Sequence, residues 1–126
     1  MVVTVNRDGV CMSDDSIEHR KEIILGDNAT GRDLLNHLLQ IGFLPELTDA
    51  VWYTWSLKAP CIVAYSTKEK RIIAEVQGIP LDRLGTSKSF EFCHCWLSHD
   101  LNRIMEAIQK TDGIWYDTQF FENRAK

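Results

Sequence analysis

Residues 2–6 alternate apolar and polar side chains with the period of a strand. Residues 19–25 end on the apolar run Ile23, Ile24 and Leu25 and predict a second strand. Between them, Asp8-Gly9 predicts a turn or bulge before a short apolar piece at 10–12, and residues 13–16 predict a loop. The period then lengthens. Gly26 to Ala29 break the second strand, Thr30 has the chemistry of an N-cap, and Asp33 falls in the first turn, where a carboxylate suits the positive end of the helix dipole. Leu34, Leu35, Leu38, Leu39 and Ile41 recur at helical spacing, with Gly42 closing the helix near residue 41.

Strands are predicted next over 50–57, 61–66 and 71–76, the last two joined by a hairpin loop at 67–70. Residues 78–85, with Leu81 and Leu84 three apart, predict a short helix or turn, and residues 89–97 a further strand. Ser98 is the expected cap of a second amphipathic helix over 99–110, carried by Leu101, Ile104, Met105 and Ile108 and ended by Gly113. Residues 114–121 form an aromatic tail. Hairpin, helix, several strands and helix predict an α+β fold, a two-layer, β-grasp-like mixed sheet with its helices packed on one face. No repeat or linker divides the 126 residues, so a single domain over 1–126 is expected, large enough to bury a core without disulfide or metal support.

Composition narrows the function class. A hydrophobic fraction of 44% with 25% charged residues is that of a folded globular protein. No apolar run reaches the roughly 20 residues of a membrane span, and the start of the chain lacks the layout of a signal peptide, so no membrane association and a cytoplasmic location are expected. Cys11, Cys61, Cys93 and Cys95 fall mostly in apolar runs and suggest reduced thiols. The net charge of −4 is uneven: residues 1–49 carry nine acids and four bases, residues 50–126 nine acids and ten bases. An acidic first part disfavours nucleic acid and favours a basic partner.

The densest reactive cluster is Cys93-His94-Cys95-Trp96-Leu97-Ser98-His99. On a strand Cys93 and Cys95 share one face with Glu91, while His94 shares the other with Phe92 and Trp96, which splits the set rather than converging it on a metal. A Cys–His nucleophilic pair would need an orienting acid and an oxyanion hole, and no glycine-rich nucleophile turn is visible. No cofactor cradle or metal motif is present in the sequence, and no catalytic residue is assigned. Residues 13–18 have no packing role in the pattern, which leaves Asp14, Asp15 and Glu18 as candidates for partner contact. Aromatic side chains are favoured at interfaces, and Tyr53, Trp55, Trp115 and Tyr116 join the candidate set.

The stretch Val5-Asn-Arg-Asp-Gly-Val-Cys-Met-Ser-Asp-Asp15, with His19, the helical Asp33-Leu34-Leu35 and the tail Ile114-Trp115-Tyr116-Asp117, resembles small bacterial immunity proteins of polymorphic and contact-dependent toxin systems. The resemblance implies a cytoplasmic, non-enzymatic binder that neutralises a cognate toxin domain by covering its active site or an essential surface. It carries no functional residue across. If that toxin is a nuclease, its cleft is basic, and Asp14, Asp15 and Glu18 would complement it. Two other readings stay open: a small enzyme or metal-binding domain using Cys93 to His99, and a ligand-binding or assembly module acting through a sheet edge.

Overall fold

A computed structural model describes residues 1–9, 19–84, 88–98 and 100–124. The piece at 10–12, the loop at 13–16, and Asp14, Asp15, Glu18 and His99 lie outside the described residues. The elements run β1 (Val2–Arg7), β2 (Arg20–Ile24), α1 (Gly31–Gln40), β3 (Ala50–Trp55), β4 (Val63–Ser66), β5 (Arg71–Val76), α2 (Leu81–Leu84), β6 (Ser89–Trp96), α3 (Leu101–Gln109), β7 (Ile114–Tyr116) and α4 (Thr118–Arg124). The fold is α+β, with one mixed seven-stranded sheet in the order β2-β1-β6-β3-β4-β5-β7. Among the described residues only β1 and β6 pair in parallel; the other neighbours are antiparallel.

The start of α1 follows the sequence signals. Thr30 Oγ1 accepts the Asp33 amide, and the Asp33 carboxylate accepts the Thr30 amide at 2.9 Å, so a reciprocal box satisfies two donors of the helix start. Gly42, at φ +73°, makes the left-handed turn after the helix that a side chain would resist. Ile41 stands at the C-cap and is exposed rather than part of the buried stripe. Beside Gly31, at the other end, a Cβ would lie 2.8 Å from the Ile62 Cγ2, so the helix enters against the sheet at a distance only glycine allows.

Helices cover both faces of the sheet, where the sequence predicts one. Leu34, Leu35 and Leu38 of α1 pack with Val3, Val5, Trp52, Phe90 and Phe92. Ile104 and Ile108 of α3 and Phe120 and Phe121 of α4 pack with Val51, Tyr53, Ala64, Ile73 and Cys95 in a second core. Trp52 and its neighbours Val51 and Tyr53 belong to different cores because successive strand residues point to opposite faces. α3 lies on the face opposite α1 as a second helical layer, and the tail extends that layer: residues 114–116 form the edge strand β7, hydrogen-bonded to β5, and α4 follows, its Phe120 amide capped by Asp117 Oδ1 at 3.1 Å.

Several boundaries differ from expectation, β4 starting at Val63 rather than 61 among them. β3 stops at Trp55, before Leu57; α3 begins at Leu101 with Asp100 rather than Ser98 at its N-cap; and it ends at Gln109, so Gly113, at φ +70°, turns the chain into β7 instead of closing the helix. Among the described residues no helix is long and apolar enough to cross a membrane.

Candidate protein interface

The second helical layer covers only part of its side of the sheet. It lies over Val51, Tyr53, Ala64, Ala74 and the end of β6 at Cys95. On the same side, β2, β1 and the start of β6 present Ile24 beside Val2, Glu22 beside Thr4 and Ser89, and the row Arg20, Asn6, Glu91 and Trp55 across four strands. Val2 is 53% exposed and Ile24 77%, yet they are cross-strand partners. Asn6 Nδ2 donates to Glu91 Oε1 at 3.3 Å, holding the polar centre of this open half-face.

At its margin β3 ends in a stiff turn. The Ser56 amide donates to the Ala59 carbonyl at 2.9 Å and the Ala59 amide returns to the Ser56 carbonyl at 3.3 Å. The Ser56 hydroxyl accepts the amides of Lys58 and Ala59 and donates to the Leu84 carbonyl. These bonds fix the backbone on both sides of Leu57, which is 84% exposed. Beside it Trp55, 36% exposed, donates its indole N–H to Cys93 Sγ at 3.3 Å. A large ring held by a hydrogen bond and an aliphatic side chain on a fixed turn have little conformational freedom left to lose.

The residues singled out in the sequence do not form one patch. Trp55 lies on the open half-face. Tyr53 is only 5% exposed, so it supports the sheet beneath α3 rather than offering contact area. Burial pushes its phenol up to about 12, with nearby Cys95 adding to the shift and Arg103 opposing it. Trp115 and Tyr116 are exposed on β7, three strand spacings from β3, or roughly 14 Å. Being consecutive, they point to opposite faces: Tyr116 meets Phe121 edge-on at 6.1 Å, while Trp115 is opposite Glu75. Phe120 and Phe121 are core residues. Asp14, Asp15 and Glu18 lie outside the described residues and are not placed relative to this face.

Val2, Ile24 and Leu57 are the residues that the sequence reading passed over. The doublets Val2-Val3 and Ile23-Ile24 carry a signal for two of them, since an apolar residue at both strand parities means one must face away from the α1 core. Leu57 has no comparable sequence mark, because its exposure depends on where β3 ends.

The Cys93 to His99 cluster is divided as strand parity predicts. His94 packs edge-on between Trp52 and Trp96, with ring centroids 5.3 and 5.7 Å away, and its Nδ1 lies 3.4 Å from Asp8 Oδ2. Cys95 is buried in the other core. Burial raises all three described thiols, Cys61 to about 12, Cys95 to about 11 and Cys93 in the same direction, so they resist becoming thiolates. Among the described residues, no group of three or more His, Cys, Asp or Glu side chains is placed to hold a metal ion. At the sheet's edge, β2 carries Arg20, Lys21 and Glu22 in succession, a charged run that opposes edge-to-edge pairing. No protein family, curated protein or solved structure matches this chain.

Proposed function

We propose that this protein is a non-enzymatic binding module that occludes a protein partner through the open half-face, in the manner of a toxin-neutralising immunity protein acting in the cytoplasm. The observation that supports this reading is the uncovered half-face itself: exposed Trp55 ends the row Arg20–Asn6–Glu91–Trp55, the exposed pair Val2–Ile24 lies two same-face positions along the strands, and exposed Leu57 stands on the turn after β3. Exposed large apolar side chains interspersed with polar ones on a rigid sheet suit a protein contact surface. Asp14, Asp15 and Glu18, in the sequence between β1 and β2, would supply the negative charge that a basic toxin cleft selects and that speeds association. The finer, β-grasp-like arrangement belongs to the same proposal; the β1-β2-α1 opening and the parallel β1–β6 pair support it.

The test is affinity capture from the source cell with the wild type and with a Trp55→Ala, Leu57→Ser double variant, followed by assay of the captured protein. The expected result is one partner whose toxic activity falls with stoichiometric addition of this protein, and whose retention drops at least about tenfold with the double variant. A partner held equally by both proteins, or one whose activity is unaffected, rejects the reading.

A further inference from the structure

The two edges of the sheet meet solvent differently. β2 carries the charged run Arg20, Lys21 and Glu22, whereas β7 is Ile114-Trp115-Tyr116, without a charge and with both rings exposed. Its hydrogen-bonding sides follow from the register. The Asp117 amide donates to the Ile73 carbonyl at 2.8 Å, and bonded pairs alternate along an antiparallel ladder, so the backbone groups of Trp115 turn toward Glu75. On the far side of β5 the Val76 amide donates to the Ile62 carbonyl at 2.9 Å, the same parity seen from β4. The amides and carbonyls of Ile114 and Tyr116 therefore point off the sheet, and among the described residues no group meets them.

Outward backbone groups at strand spacing are matched by another strand, and a second copy of β7 matches them in full. Turned antiparallel about Trp115, it sets Ile114 of each copy opposite Tyr116 of the other, and every outward amide meets an outward carbonyl. Trp115 then faces Trp115 in a non-hydrogen-bonded pair, the position where cross-strand aromatic side chains approach most closely. Glu75, beside it, is held by Arg32 at 2.6 Å and brings no unpaired charge to that pair. On the opposite face Ile114 of the second copy comes beside Tyr116, at a groove of 200 Å³ walled by Met105 and Phe121. No like charges are brought together: Asp112 falls opposite Thr118, and Asp117, opposite Gly113, already pairs with Arg71 at 2.7 Å.

We propose that this protein forms a symmetric dimer through β7, the two sheets joining edge to edge about a two-fold axis at Trp115. A second copy is favoured over an unrelated strand because the register that satisfies every outward group is the one with a two-fold axis, and such a contact is self-complementary. The shared edge is short, so the dimer is weak, with a Kd of roughly 10–300 µM. β7 stands at the opposite end of the sheet from β2 and β1, so the dimer leaves the open half-face of each copy uncovered. Dimer formation and capture of a different protein are separately measurable.

The test is sedimentation equilibrium of the full chain from about 10 to about 500 µM, where the mass should rise from monomer toward dimer. Trp115→Lys sets like charges face to face on the axis and should weaken the dimer at least about tenfold, with its circular dichroism checking that the monomer stays folded. The Trp55→Ala, Leu57→Ser double variant should dimerise like the wild type. The register is read separately with Trp115→Cys: residues facing each other across an axis lie within disulfide reach, so oxidised glutathione should link two copies well above the wild-type background, while Thr118→Cys, off the axis, should not link. A monomer at every concentration overturns the proposal. So does a dimer unaffected by Trp115→Lys, one lost in the double variant, or equal cross-linking at the two cysteine positions.

Discussion

The two faces of β1 have opposite fates. Val3 and Val5 are fully buried beneath α1, whereas Val2, one residue away, is 53% exposed and pairs with Ile24 on a face that no described helix covers. The difference lies in the length of cover. α1 spans the side of the sheet where Val3, Ile62 and Phe90 meet one core, while α3 and α4 reach from β5 only to the end of β6. A side chain's strand parity decides which face it takes, but the helix layer above that face decides whether it is buried.

The comparison is broken most directly by two tryptophans three residues apart. Trp52→Ala removes a ring that is 1% exposed and should cost about 3–5 kcal/mol, whereas Trp55→Ala should cost under about 1 kcal/mol, both read from urea unfolding midpoints. Similar losses at the two sites would show that the open half-face is covered in solution. Next in size, Gly31→Ala drives a methyl group to 2.8 Å from the fully buried Ile62 and should cost about 1–3 kcal/mol, with Ile24→Ala on the open face near neutral by the same measurement.

The smallest effect concerns pH. The Cys61 thiol moves from an ordinary 9.0 to about 12 on folding, so the unfolded chain releases this proton first and the native state binds more protons above 9. Its contribution is fully present below that value and is lost as pH rises toward 12. Between about pH 8 and about pH 10 its share of the loss should be about 1 kcal/mol, and Cys61→Ala should make that part of the profile shallower by this amount, leaving the slope that Cys93 and Cys95 contribute. A wild-type profile flat across this interval would mean that Cys61 is not enclosed as the second core places it.

Much of the fold was legible because its signals are local. The Thr30–Asp33 box, the Leu34, Leu35 and Leu38 stripe, Gly42 and the hairpin loop at 67–70 each depend on residues within a few positions of one another. The tail was not legible as a strand and helix. β7 is three residues long and exists by its bonds to β5, and α4 is ordered by Asp117 at its start and by burial of Phe120 and Phe121. Arg71, which pairs with Asp117 at 2.7 Å, comes from β5, far back in the chain. Of the candidate site, Trp55 was legible as a large aromatic near a strand end, while Tyr53 was misleading because aromatic content says nothing about which core a strand face meets.

The sequence by itself determined the α+β class, the parity of each strand and the amphipathic faces of α1 and α3, since these follow from side-chain period and end-capping chemistry. Only the tertiary structure decided that the described residues form two cores rather than one and that Val2, Ile24 and Leu57 are exposed. Each of those depends on which element packs over which, and contacts between residues tens of positions apart leave no periodic trace in the chain.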